Sequence, residues 1–202
     1  MKIGSKYKIA MRLGASVFPK TQTQKFAIRQ EKKMKNKSRG RGPTEYGKQL
    51  IEKQKIKMTY GLSERQFRIY VEEANNTHGR APAEVLHELV ERRLDNVVYR
   101  LGLAPSRRAA RQMVSHGHFL VNGKKTTIPS QRLRTTDVIA VREGSKSAGY
   151  FANFAEKFAE TPTPSWLTWN VSKMDGGMTA LPNRENADPA GDLVAVLSFY
   201  SR

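Results

Sequence analysis

The sequence of 202 residues contains no cysteine, which excludes a disulfide framework and any metal held by thiolates. Acidic residues are scarce: 18 Asp and Glu stand against 36 Lys and Arg, leaving a formal net charge of +18. Long apolar runs are missing as well. No stretch approaches the roughly 18 apolar residues of a transmembrane helix, and the first residues lack the apolar core of a secretory signal. Aromatic residues make up 8% of the chain and hydrophobic residues 38%, enough for one or two modest cores but not for one core running throughout. The expectation is a cytoplasmic protein.

What is present is positive charge, unevenly placed. Residues 1–60 carry 17 basic and 3 acidic side chains, and residues 91–143 carry 11 and 4; the stretches 61–90 and 144–202 are close to neutral. So large an excess repels itself and persists where a polyanion neutralises it. Nucleic acid is the commonest such partner, because each neutralised phosphate releases condensed counterions. A basic membrane-surface protein would instead need an amphipathic basic helix with apolar anchors.

The first block, from MKIGSKYKIAMRLGASVFPK to KKMKNKSRGRGP, has poor periodicity and many turn formers. It predicts an extended, partly irregular extension over residues 1–43 that orders on its partner. A disordered basic tail and a transit peptide are the other readings. From Thr44 the pattern turns helical, with Tyr46, Leu50 and Ile51 on one side and lysines around the rest. Gly61 is a stop, and Ser63-Glu-Arg-Gln66 is a capping box. Phe67, Tyr70, Val71 and Ala74 then recur at helical spacing. Val85, Leu86, Leu89 and Val90 form one more stripe, and Leu94, Val97, Val98 and Leu101 form another after a slip in phase near Glu91 to Arg93. Four parts follow: the extension 1–43, a helical domain 44–90, a compact unit 91–143, and a segment 144–202 that packs back on the body.

The stretch SRRAARQMVSHGHFLVNGKK, from Ser106 to Lys125, carries the sharpest signal. With Ser106 as N-cap, a helical period places Arg107, Arg108 and Arg111 on one face and Ala109, Ala110, Met113 and Val114 on the other. Asn122-Gly123 marks a type I′ hairpin between two short strands, and DVIAV from Asp137 is a further strand. The fold class is α+β. A solvated helix face would explain the arginines as well, but the regional charge favours a surface that positions a phosphate backbone.

At this point LDNVVYRLGLAPSRRAARQMVSHGHFLVNGKK and IPSQRLRTTDVIAVRE resemble the S-four RNA-binding domain, a unit shared with some pseudouridine synthases and tyrosyl-tRNA synthetases. The flanks PTEYGKQLIEKQKIKMTYGLSERQFRIYVEEA, RLGASVF, PSWLTWNVSKMDG and LVAVLSFYSR resemble the bacterial-type family of ribosomal small-subunit protein four. The resemblance implies an α+β structural protein that binds the 5′ domain of 16S rRNA early in small-subunit assembly. It implies contacts with ribosomal protein five and a place beside the mRNA entry channel, with no cofactor, no membrane and no homo-oligomer. Cytoplasmic ribosomes are the implied location, with organellar ribosomes left open. The expected RNA contacts are Lys6, Lys8, Arg12, Lys35, Lys37, Arg39, Arg41, Tyr46, Lys48, Lys53, Lys55, Lys57, Arg65 and Arg68 in the first half. In the second they are Arg107, Arg108, Arg111, Gln112, Ser115, His116, Lys124, Arg132 and Arg134. Some family members hold zinc with four N-terminal cysteines; this sequence has none. Where many carry Gln-His-Gly, it reads KSRGRGP.

Other candidates carry less. His116 and His118 lack the further ligands that zinc needs. Arg93-Leu94-Asp95 matches the context of a pseudouridine synthase aspartate, but Asp95 falls in the helix preceding the basic one and is expected to be structural. A free-standing RNA-binding factor and an RNA-modifying enzyme remain the alternatives. Phe151, Phe154, Ala155 and Phe158 read as a core stripe, Trp166 and Trp169 as anchors, and Leu193 to Tyr200 as a terminal strand.

Overall fold

The computed structural model describes residues 3–35, 42, 44–147, 149–151, 163–183 and 190–201. Composition divides the chain into four parts; packing divides it into two units. One consists of residues 1–86 with 189–202, the other of 87–188.

The first unit is helical. The segment expected to be extended instead forms α1 (Lys6–Leu13), two 3₁₀ turns (Ala15–Val17 and Pro19–Thr21) and α2 (Gln24–Lys35). Ala10, Leu13, Val17, Phe18 and Phe26 close a small core, with Ile51 and Met58 packed against it. Spread over helix, turn and helix, these residues fit no single period, which is why the segment looked irregular in sequence. The main helix α3 (Glu45–Tyr60) starts where the Thr44 hydroxyl accepts from the Gly47 amide, and ends at Gly61 with φ 64°, a left-handed turn that glycine takes without strain. Next comes α4 (Glu64–Asn76), whose cap is Ser63, accepting from the Gln66 amide at 3.3 Å. All four stripe residues, Phe67, Tyr70, Val71 and Ala74, are buried.

The expected terminal strand is a helix, Leu193–Tyr200, hereafter α9. Asp192 caps it, its carboxylate accepting from the Val194 and Ala195 amides. It lies along α3 and touches α4. Leu193 and Val196 are buried, and the Tyr200 ring meets Phe67 edge-on. Its strand-forming composition is overridden because a helix puts these three on one side, against α3 and α4.

The chain passes through α5 (Pro82–Glu91) into the second unit, and the slip in phase is the break before α6 (Leu94–Arg100). After α7 (Arg107–Ser115) come β1 (Phe119–Val121), β2 (Lys124–Thr126), β3 (Val138–Val141), the single turn α8 (Glu143–Lys146), β4 (Leu167–Asn170) and β5 (Asp175–Met178). The strands form one antiparallel sheet in the order β2-β1-β3-β5-β4. Asn122 (φ 51°) and Gly123 (φ 75°) make the hairpin turn as expected. One core joins Val97 and Val98 of α6, Ala110 and Val114 of α7, and Phe119, Ile139 and Met178 of the sheet. Each large apolar side chain fully covered there stabilises the unit by about 1.5–3 kcal/mol. Phe151 and Trp166 belong to this core and Trp169 packs against it; Phe154, Ala155 and Phe158 lie outside the described residues.

Candidate nucleic-acid interface

The three arginines of α7 do not share one fate. Arg111 donates through Nε to Asp95 Oδ2 at 2.8 Å, with a second contact at 2.7 Å. Arg107 donates through Nε to Asn96 Oδ1 at 2.7 Å, and its guanidinium lies 4.5 Å from the Tyr99 ring centre. Arg108 is exposed. Arginine has five donors, so Arg107 and Arg111, both half-buried, can hold α6 with part of the group and still present charge outward.

Behind this face is a buried polar network. Asp95 is almost fully enclosed and takes Arg93 as well as Arg111, with Arg93 Nε on Oδ1 at 3.0 Å and Nη2 on Oδ2 at 2.8 Å. Glu91, fully buried, accepts twice from Arg100 and once from the Asn96 amide. Breaking such a cluster costs about 3–5 kcal/mol, because a charge stays buried without its partner. The network makes Asp95 a fixing point for α6 and α7. Its oxygens accept from the Arg93 and Arg111 guanidinium groups, the structural pairing expected for it.

On the outer side of α7, Arg108, Gln112, Ser115 and His116 are all exposed. Lys124 and Arg134 are exposed and Arg132 is half-buried. Lys125 lies closer than its spacing suggests: a Cβ on Gly117 would stand 2.3 Å from its Cε, so its stem crosses the end of α7. His118 turns inward, with Nδ1 3.0 Å from the Ser145 hydroxyl. Burial, then the charges of His116 and Arg142, hold its imidazole below the usual 6.5. Tyr150, whose ring centre is 6.0 Å from that of His118, is a neighbour the sequence does not reveal, because no local spacing connects it to α7.

In the first unit Lys8, Arg12, Tyr46, Lys48, Arg65 and Arg68 are exposed, and Lys6 and Lys55 are half-buried. Lys48 and Lys55 pair with Glu45 and Glu52, and Arg68 with Glu72. Lys6 reaches over Phe18, and the Tyr46 ring leans on Phe199. Lys53 and Lys57 depart from expectation. Both are buried, both end 2.7 Å from the Glu64 carboxylate, and Lys53 also sits over the Phe199 ring. Their charges join α3 to α4 and α9. Helical phase alone made them look solvated, since the sequence does not show that α9 returns to cover that side. The Lys35 side chain, Lys37, Arg39 and Arg41 lie outside what is described.

Comparison with known proteins places these two units in a common setting. Residues 1–91 match the family model described as the ribosomal protein S4/S9 N-terminal domain, and residues 92–139 match the S4 domain. The chain is 47% identical over 167 residues to the small ribosomal subunit protein uS4 of Roseiflexus sp. (strain RS-1), covering 82% of this chain and 81% of that protein. It is 46% identical over 160 residues to the protein of the same name in Syntrophomonas wolfei, covering 79% and 76%. A similar match, 45% over 165 residues, joins it to that of Desulfitobacterium hafniense, covering 82% and 78%.

Proposed function

Because the chain belongs to the family of the small ribosomal subunit protein uS4, we propose that it is a structural constituent of the small ribosomal subunit and binds rRNA through its basic faces, without catalysis. The observation that carries this reading is the outer side of α7. Arg108, Gln112 and His116 are exposed there, on a helix whose position is fixed from behind by Asp95 and Asn96. Such a surface suits a folded RNA: charge meets phosphates, and a rigid helix meets a defined shape. The exposed cations of α1 and α3, among them Lys8, Arg12 and Lys48, form a second contact region.

The finer assignment follows the family. The chain is a primary binder of the 16S 5′ domain that helps nucleate assembly, touches ribosomal protein five and flanks the mRNA entry channel. With no cysteine in the chain to hold zinc, its N-terminal segment is ordered by RNA and by packing, the latter in the small core around Phe18 and Phe26. Sucrose-gradient fractionation tests the assignment. The tagged protein is expected to sediment in equal proportion with small subunits and to stay there through a high-salt wash. Recovery at the top of the gradient would instead indicate a free-standing RNA-binding factor.

A further inference from the structure

Beside the C-terminal half of α7 is a cavity of about 90 Å³ that the ion-pair network does not use. Its floor is apolar, formed by Ala109 and Met113, and its rim holds Gln112, His116, His118 and Tyr150. Three of the rim residues are flat rings set as a fan. His116 and His118 stand 6.0 Å apart and are tilted by 57°; His118 and Tyr150 stand 6.0 Å apart and are tilted by 55°. The inner ring is tethered to Ser145, and burial first, then the charges of His116 and Arg142, hold its pKa below the usual 6.5. The outer rings are open to solvent, Tyr150 at 65% of its surface. A tyrosine serving only the core would be covered, as Phe151 next to it is.

The surroundings specify what such a cavity would take. The cavity is small and opens to solvent beside the exposed His116 and Tyr150 rings, so it admits the edge of one flat ring and not a double helix. The adjoining cations are Arg108 on the same helix and Arg142, whose Nε lies 3.4 Å from the Ser145 hydroxyl that also meets His118. A flat, polar-edged ring carried beside phosphate charge is a nucleotide base. We propose that this cavity receives one unstacked base of a single-stranded RNA segment, stacked by Tyr150 and His116 and met at its edge by the Gln112 amide. The inference rests on the rRNA-binding reading above and adds to it a base-dependent contact. Phosphate contacts alone position an RNA without reading it.

The test compares two single-stranded RNA oligomers of equal length and charge, one with bases and one abasic, for binding to the full-length protein. The wild-type protein is expected to prefer the oligomer with bases. Tyr150→Ala should lower affinity for it by about tenfold while leaving the abasic oligomer unaffected, and Tyr150→Phe should restore the preference. Equal wild-type affinity for the two oligomers would overturn the proposal. So would a preference that survives in both Tyr150→Ala and His116→Ala. Binding of the 16S 5′-domain transcript, measured alongside, separates the two levels: loss of transcript binding by the wild-type protein counts against the ribosomal reading, whatever the oligomers show.

Discussion

Glu64 accepts from three donors, the Lys53 and Lys57 amines and the Tyr200 hydroxyl, each at 2.7 Å. Burial raises its pKa, but the three hydrogen bonds and the charge of Lys57 together outweigh that and bring it from the usual 4.5 to about 2. Burial and the bond to Glu64 push the Tyr200 phenol upward in turn. A carboxyl with a depressed folded pKa adds stability that is present above its unfolded value and lost as pH falls through its folded one. The contribution of Glu64 is therefore complete above about pH 4.5 and gone near pH 2. Thermal unfolding followed by circular dichroism should show this. Glu64→Gln is expected to lower the melting temperature at pH 7 and to narrow the gap from wild type as pH drops from 4.5 towards 2. A gap constant across that window would show that Glu64 does not link the helices.

Among the elements, those with local signals were legible in the sequence. Ser63 and Ser106 cap their helices, Gly61 ends α3, and Asn122-Gly123 turns the hairpin, each through chemistry contained within a few residues. What distant contact decides was not legible. The helix at Leu193 to Tyr200 exists because α3 and α4 offer it a surface, and the N-terminal core gathers apolar residues from helix, turn and helix. Strand β5 is a further case, since Asp175-Gly-Gly-Met178 has almost no strand propensity. It pairs with β3 and β4 because its glycines permit close approach: a Cβ on Gly176 would stand 2.1 Å from the Thr168 carbonyl oxygen, and one on Gly177 2.6 Å from that of Asp137. The obstacle is backbone in both cases and cannot swing aside. Gly176→Ala should therefore cost about 1–3 kcal/mol, read as a shift of the urea midpoint, with faster amide exchange at Thr168 and Gly177. An unchanged midpoint would mean that β4 can move away without penalty.

For the whole molecule, the total charge announced a polyanionic partner, but not which cations are free to meet it. The structure sorts them. Lys53 and Lys57 are held by Glu64, Arg107 and Arg111 are shared between α6 and the surface, and Lys8, Arg12 and Arg108 face solvent. Affinity for RNA falls with salt in proportion to the phosphates neutralised, by roughly 0.7–0.9 in logarithmic slope for each. Replacing Lys8, Arg12 and Arg108 together with Ala should flatten the slope for the 16S 5′-domain transcript by about two, with little change in melting temperature. Replacing Lys53 and Lys57 with Met should do the opposite, lowering the melting temperature and leaving the slope of the protein that remains folded unchanged. Filter binding from low to moderate salt, paired with calorimetry, distinguishes the two sets. If the Lys53 and Lys57 variant stayed folded and lost slope, those amines would be leaving Glu64 for phosphate when RNA arrives, and the first unit would have to open along α9 to release them.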